Sequence, residues 1–129
     1  MRKGTKAVMA GLMTAALMTS VAPFAVANDA DKIREGNCSG RSDWKYKASP
    51  ENGRIEVEYE VDQNRNGDTW KVRLRHEGDL FFSGSRITKA PSESFEVRRV
   101  VGNRAGTDNF RARAVNQRTG EVCRGTVAF

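Results

Sequence analysis

Basic side chains recur at every second position in three separate segments of the chain. They are Lys71, Arg73 and Arg75 in the first segment, Arg111 and Arg113 in the second, and Arg124 in the third. Alternate residues of a β-strand point to the same face of a sheet. If the three segments are neighbouring strands, their cations form one basic face. Such a face attracts anionic polymers through many weak, salt-sensitive contacts.

A competing arrangement removes this face. If segment 54–61 formed a hairpin with segment 69–76, each cation of the first basic segment would meet a glutamate. The cross-strand pairs would be Glu60–Lys71, Glu58–Arg73 and Glu56–Arg75, and opposite charges at such positions compensate each other. Charged residues on exposed strands also commonly serve only solubility and discourage edge pairing. Both readings of the basic segments stay open at this point.

A calcium site is a second candidate, because one turn matches the opening of an EF-hand loop. Its oxygen-bearing side chains are Asp62, Asn64, Asn66 and Asp68. Calcium needs about six to eight oxygens, usually including a carboxylate at the twelfth loop position, and Arg73 occupies that position. An Asx-rich turn accounts for the same residues. The sequence therefore predicts no metal and no cofactor, with calcium as the weaker alternative.

Catalysis has little support in the sequence. His76 is the only histidine, with Glu77 beside it and Asp79 nearby, and no G-x-S-x-G nucleophile motif occurs. Glu56, Glu58 and Glu60 alternate on a solvent-facing phase. In the order that makes the basic face, they lie between Lys45 and Lys47 of segment 43–48 and Arg98 of segment 94–101, so we expect the opposite charges to cancel and leave a neutral face. These glutamates also lack the desolvation that acid–base pairs require. The large aromatic residues fall on the apolar phase of their segments, which indicates core rather than a sugar platform. We expect a protein that is not an enzyme.

Seven segments with strict period-2 alternation must position these residues. The predicted strands are A (43–48), B (54–61), C (69–76), C′ (80–88), E (94–101), F (109–116) and G (121–128). Turn signals rich in Gly, Asn and Pro separate them. Seven short strands in about 100 residues are typical of a β-sandwich. In an immunoglobulin- or fibronectin-like order, A, B and E share one sheet, and C′, C, F and G share the other.

The N-terminal residues have the features of a secretory signal peptide. Arg2, Lys3 and Lys6 precede an uncharged apolar run, and Ala25-Val26-Ala27 forms an A-x-A cleavage site. We predict a signal peptide over 1–27, a flexible polar leader over 28–37 and one β-sandwich domain over 38–129. No second apolar run follows, so no membrane span remains after cleavage. The predicted location is extracellular.

Removal of residues 1–27 also changes the charge. This segment holds three of the 22 Lys and Arg and none of the 16 Asp and Glu, which leaves a net charge of +3. Cys38 and Cys123 are the only cysteines, and an oxidising compartment favours their pairing. In the immunoglobulin-like order they lie near the same end of strands A and G, so a disulfide would join the two sheets.

Three stretches of the chain resemble a group of small secreted actinobacterial proteins to which no activity is assigned. They are Gly53–Gly67, Trp70–Val72 and Asn103–Asp108, and the likeness extends over most of residues 38–125. The resemblance implies secretion and an immunoglobulin-like β-sandwich, and it supplies no catalytic residues.

Together these features predict a secreted, non-enzymatic binding module. Its expected partner is a cell-wall or other anionic polymer, or an extracellular protein. The alternative function is inhibition of an extracellular hydrolase through the loops 62–68 and 102–109, because a rigid disulfide-bonded sandwich can present a loop at low entropic cost.

Overall fold

The structure is a computed structural model that describes residues 30–129, which fold entirely as β-strands, turns and loops. The strands are β1 (Lys32–Asn37), β2 (Asp43–Glu51), β3 (Arg54–Asp62), β4 (Thr69–His76), β5 (Asp79–Ile87), β6 (Ser94–Gly102), β7 (Asn109–Asn116) and β8 (Val122–Ala128). No helix in residues 30–129 is long and apolar enough to cross a membrane. The predicted signal peptide at 1–27 and leader residues 28 and 29 lie outside the described residues.

The eight strands form two antiparallel four-stranded sheets. The strand order is β1-β2-β3-β6 in the first sheet and β5-β4-β7-β8 in the second. The predicted allocation of strands to sheets is confirmed, since β2, β3 and β6 correspond to A, B and E. Strand β3 pairs with β2 and β6, and β4 pairs with β5 and β7. The 54–61 and 69–76 segments therefore lie in different sheets, and the hairpin between them does not form.

The leader prediction needs a correction. Residues Lys32–Asn37 form β1, which pairs antiparallel with β2 from Lys32 opposite Ala48 to Asn37 opposite Asp43. The segment has one large apolar residue, Ile33, and this side chain is exposed, so hydrophobic periodicity could not reveal the strand. An edge strand of this kind is held mainly by backbone hydrogen bonds to its neighbour.

Two tight turns set the registers of the β2–β3 and β4–β5 hairpins. Asn52 and Gly53 connect β2 to β3 with φ of 49° and 79°, and Glu77 and Gly78 connect β4 to β5 with φ of 50° and 86°. Two successive residues with positive φ form the turn whose twist matches paired antiparallel strands. The Asn52-Gly53 turn keeps Ile55 opposite Pro50 and Tyr59 opposite Tyr46.

The core fills the space between the sheets with the apolar phase of each strand. The largest fully buried side chains are Trp70, Tyr46, Tyr59, Phe110, Ile55 and Leu74. This arrangement confirms that the strand aromatics Tyr46, Tyr59, Trp70 and Phe110 belong to the core. Trp44 is half-buried and packs against the same cluster.

One side of the sandwich closes around Trp44. A Cβ added at Gly36 of β1 would lie 2.7 Å from Trp44 Cζ2, and one added at Gly125 of β8 would lie 2.8 Å from Trp44 Cε3. Both distances are far below normal van der Waals contact. The absence of side chains at Gly36 and Gly125 therefore lets strands from both sheets approach the indole.

The disulfide prediction is confirmed, because Cys38 and Cys123 are bonded and no free cysteine is present in residues 30–129. Cys38 follows β1 in the first sheet and Cys123 lies in β8 of the second, so the bond joins the two sheets. The residues are separated by 85 positions, and closing a loop of that length stabilises the fold by about 4–5 kcal/mol in the chain-entropy model.

Candidate functional site

The three basic segments are neighbouring strands of one sheet, in the order β4-β7-β8. Arg73 lies opposite Arg113, and Arg113 lies opposite Arg124, so three arginines form one row across the sheet. Arg75 lies opposite Arg111 in the next row, followed by Thr126. Adjacent strands are about 4.8 Å apart, so these five arginines are crowded into a small area.

Lys71 extends the same phase by one further row, where it lies between Ser85 of β5 and Val115 of β7. The side chains of this set are exposed, except that Arg75 is half-buried. We call the set formed by the six predicted cations the basic sheet surface: Lys71, Arg73, Arg75, Arg111, Arg113 and Arg124.

Carboxylates are missing from this surface. On β5, Ser85 lies opposite Lys71, Ser83 opposite Arg73 and Leu80 opposite Arg75. On β8 the corresponding positions are Val122, Thr126 and Ala128. Within residues 30–129, none of the six cations forms an ion pair, and the bond from Arg75 Nη1 to the Gly78 carbonyl oxygen, at 3.1 Å, is to backbone. The positive charge of the surface is therefore not compensated by the protein itself.

A shallow groove of about 400 Å³ lies between these side chains, and five arginines line it. Like charges placed directly opposite each other on a sheet are destabilising. The Arg73–Arg113–Arg124 row therefore costs stability that a bound anion would recover. Arginine also presents a planar fork of donors that matches the oxygens of phosphate, sulfate and carboxylate groups.

The opposite sheet has the expected cross-strand charge pairs. Lys47 Nζ lies 3.6 Å from Glu58 Oε2, and Arg98 Nη1 lies 3.5 Å from Glu56 Oε2. Arg98 also approaches Glu58 and Glu96 at 3.9 and 4.0 Å. These pairs confirm the predicted compensation of the glutamates by Lys47 and Arg98.

The compensation on this sheet is incomplete, which corrects the expectation of a neutral face. Glu60 lies directly opposite Glu96. Burial raises the pKa of the Glu96 carboxyl, and the neighbouring Glu58 raises it further. The charged residues in the outward phase of β1, β2, β3 and β6 comprise eight carboxylates (Glu35, Asp43, Glu51, Glu56, Glu58, Glu60, Asp62 and Glu96) and four cations (Lys45, Lys47, Arg54 and Arg98). The two sheets thus present surfaces of opposite sign.

In the candidate calcium turn, the Asp68 carboxylate binds side chains of the protein. Asp68 is buried and accepts bonds from Arg118 Nε and Nη2, both at 2.8 Å, from Asn116 Nδ2 at 3.0 Å and from Gln63 Nε2. These donors, with Arg118 first, hold the pKa of the Asp68 carboxyl well below its usual range. Asp62 Oδ1 accepts a bond from the Asn64 amide at 3.2 Å, as an Asx turn does.

Both carboxylate oxygens of Asp68 therefore accept hydrogen bonds from side chains of the protein itself. Asn64 and Asn66 are exposed side chains of the same loop. Across residues 30–129, no group of three or more His, Cys, Asp or Glu side chains is arranged to hold a metal ion. Sequence reasoning missed Arg118 as the partner of Asp68, because 50 positions separate the two residues.

His76 lies inside the molecule rather than at a pocket mouth. Its side chain is 3% exposed, and its Nε2 lies 2.6 Å from Oδ1 of Asp108, which is equally buried. The imidazole stacks on Phe110 with ring centroids 4.5 Å apart. The sequence neighbours Glu77 and Asp79 bond elsewhere, to Asn109 and to Arg104. The partner Asp108 lies 32 residues away and had no signal in the sequence.

The two loops of the alternative inhibitor hypothesis lie at opposite ends of the sandwich. Asp62 at the end of β3 pairs with Ser94 at the start of β6, whereas Gly102 at the end of β6 pairs with Arg54 at the start of β3. Loops 62–68 and 102–109 therefore belong to different ends and cannot form one continuous surface.

Comparison of the chain with protein-family models, with curated proteins and with solved structures finds no match.

Proposed function

We propose that this protein is an exported, non-enzymatic binding module that attaches to an extracellular anionic polymer through the basic sheet surface. The observation that carries the proposal is the uncompensated row Arg73–Arg113–Arg124, next to Arg75 and Arg111. Five guanidinium groups around one groove provide many charge-assisted contacts. Release of counterions from the polymer would supply most of the binding free energy.

The fold proposal is an immunoglobulin-like sandwich. Its support is the strand order, in which β2, β3 and β6 share one sheet and β5, β4, β7 and β8 share the other, as strands A, B and E and strands C′, C, F and G do in an immunoglobulin- or fibronectin-like order. Strand β1 is an additional edge strand beside β2. The expected secretion of the chain has indirect support from the Cys38–Cys123 disulfide, because such bonds persist in oxidising compartments.

The absence of catalysis is part of the proposal and has its own support. The only histidine of the chain is buried against Asp108 and stacked on Phe110, where no substrate can reach it without opening the fold. On β3, Glu58 pairs with Lys47 and Arg98, and Glu56 pairs with Arg98, so both carboxylates are engaged by side chains of the protein itself.

Retention on immobilised heparin in rising salt tests the proposed binding. We expect the wild type to be retained at low salt, and the triple variant R73S/R111S/R113S to elute at a clearly lower salt concentration. Each cation that contacts the polymer contributes about 0.7–0.9 to the slope of log K against log salt, so the triple variant should lose about 2–3 from that slope.

A matched control tests whether retention depends on the basic sheet surface or only on the net charge of the protein. The variant K45S/K47S/R98S removes three positive charges from the opposite sheet and gives the same net charge as the triple variant. We expect it to elute close to the wild type. Elution of the wild type together with R73S/R111S/R113S would refute the proposal, as would an equal loss of retention in both triple variants.

Thermal stability gives a second readout. Since the Arg73–Arg113–Arg124 row is repulsive, R113S should raise the melting temperature in low salt, and the gain should shrink as salt screens the charges. Heparin should stabilise the wild type and have less effect on R113S.

A further inference from the structure

Two depressions on the basic sheet surface are continuous. The groove of about 400 Å³ and a neighbouring depression of about 280 Å³ share Arg73 and Arg113 in their walls. The second depression adds Lys71 and ends at Gln117, the first residue after β7. The positive surface therefore extends along the strand direction towards the β7–β8 turn.

A larger depression of about 710 Å³ begins at the next residue. Its walls include Arg118 and the rest of the β7–β8 turn, the loop that follows Cys38, and the start of loop 62–68. Arg41 and Arg65 contribute from the last two segments. Gln117 and Arg118 are consecutive in the chain, so the depression at this end of the sandwich adjoins the basic sheet surface.

The two carboxylates near this depression are already engaged. Glu121 Oε2 accepts the Gly40 and Ser42 amides at 2.9 Å each, and Glu121 Oε1 accepts the Ser42 hydroxyl at 2.9 Å. Asp68 lies beneath Arg118, which it binds through two hydrogen bonds, and it also forms an ion pair with Arg65. Arg41 forms no ion pair with any residue of 30–129, and its side chain is exposed. Arg65 Nε lies 3.7 Å from Asp68 Oδ1, but its side chain is 60% exposed. Arg41 and Arg65 are therefore both accessible to an anionic ligand at this end of the molecule.

We infer that the basic sheet surface and this depression form one binding track for a linear polyanion, with Arg41 and Arg65 as contact residues at its far end. The inference rests on the proposed function and adds a direction and a minimum length to it. The sheet part alone, from Arg75 to the level of Gln117, spans six residues along a strand, or about 20 Å. A ligand must exceed this length to reach Arg41 and Arg65.

The track also indicates which class of polymer it takes. The residues that line its two sheet depressions are arginine, lysine, glutamine, threonine, valine, alanine and glycine, and none has an aromatic ring. Sites for single-stranded nucleic acid commonly gain much of their affinity from bases stacked on aromatic rings. A track without such rings favours a polymer with an anionic group on each repeat and no bases, as in an acidic polysaccharide.

Heparin oligosaccharides of defined length test the track. We expect the wild-type protein to bind an octasaccharide about tenfold more tightly than a tetrasaccharide, because only the longer chain reaches both ends. The variant R41S/R65S should bind the tetrasaccharide as tightly as the wild type does. It should lose the tenfold gain in affinity that the wild type shows for the octasaccharide. The control K45S/R98S has the same net charge as R41S/R65S and should keep the tenfold preference for the octasaccharide.

The outcomes separate this inference from the proposed function. If R41S/R65S keeps the full octasaccharide gain while R73S/R111S/R113S loses tetrasaccharide binding, the track is wrong and the basic sheet surface stands. If neither oligosaccharide binds the wild type, both fail. Tighter binding of a single-stranded oligothymidylate than of an octasaccharide at the same salt would overturn the assignment to a polymer without bases.

Discussion

His76 Nε2 and Asp108 Oδ1 lie 2.6 Å apart in the interior of the sandwich, and this contact attaches the β6–β7 loop to the end of β4. The same Asp108 oxygen accepts the Arg104 amide at 3.0 Å, and the Asp108 backbone exchanges two hydrogen bonds with Phe129. Asp108 thereby connects the loop, the end of β4 and the C-terminal residue. We therefore expect the His76–Asp108 contact to stabilise the fold.

Replacement of Asp108 by alanine should destabilise the protein by about 3 kcal/mol, because it removes one partner of a buried pair and leaves the other unpaired. Urea unfolding followed by tryptophan fluorescence measures the change. The control is D79A, since Asp79 pairs with Arg104 at 3.1 Å while its side chain is 73% exposed, and exposed pairs contribute at most about 1 kcal/mol. Equal losses in D108A and D79A would contradict a structural role for the buried contact.

Asp68 should make the stability of the fold sensitive to acid. Its pKa is lowered in the folded state, with the Arg118 hydrogen bond as the largest cause. The stabilisation is therefore complete above the unfolded pKa of about 3.9 and is lost as the pH falls through the lower folded pKa.

The variant D68N should lose about 2 kcal/mol at neutral pH, because its amide nitrogen would face donors. The free energy of unfolding of D68N should also fall less steeply below about pH 4 than that of the wild type. Urea titrations at neutral and acidic pH measure both effects. Parallel pH profiles for the two proteins would contradict the prediction.

Tyr46 and Tyr59 offer a matched pair of hydroxyl deletions in the core. Tyr46 Oη is buried and has no hydrogen-bond partner within residues 30–129, whereas Tyr59 Oη donates to the Cys123 carbonyl at 3.2 Å. Burial raises the pKa of both phenols far above the ordinary value, so both are neutral. We expect Y46F to be neutral or stabilising by up to about 1 kcal/mol, and Y59F to destabilise by about 1 kcal/mol. Thermal unfolding of both variants checks the order, and the reverse order would refute it.

Gly125 should not tolerate a side chain. An added Cβ would lie 2.8 Å from both Trp44 Cε3 and Tyr59 Cε1, so G125A must displace core aromatics at a cost of about 1–3 kcal/mol. The control is G102A at the end of β6, where a Cβ would meet nothing within 4 Å. We expect G102A to unfold at the wild-type denaturant midpoint or slightly above it. An unchanged midpoint for G125A would show that Trp44 can move away freely.

Much of the fold could be predicted from the alternation of apolar and polar residues. Predicted strands C and F have the observed bounds of β4 and β7, and the remaining predicted strands differ from the structure by one to three residues at their ends. Strand β2 continues through Pro50 to Glu51 into the Asn52-Gly53 turn, although Pro50 indicated an earlier end. Strand β1 was not predicted because the positions opposite the core-facing residues of β2 are Lys32, Arg34 and Gly36, none of which has an apolar side chain.

The candidate site was only partly accessible to the same reasoning. Period-2 spacing is enough to place Arg111 and Arg113 on one face of their own strand. It contains nothing about which strand lies beside them, because alternation is a local property and sheet neighbours are chosen by packing and loop geometry. Arg41 and Arg65 lie in loops without periodicity, so only the folded chain brings them near Arg118.

The amino-acid sequence by itself determined where the strands lie, which side of each strand is apolar and that two cysteines were available to bond. The tertiary structure alone decided that the glutamates of β3 face away from the cations of β4. Charge compensation between strands depends on side chains a few ångströms apart in space. Assignment of β3 and β4 to separate sheets places the whole core between them, and this separation leaves the arginine row exposed and uncompensated.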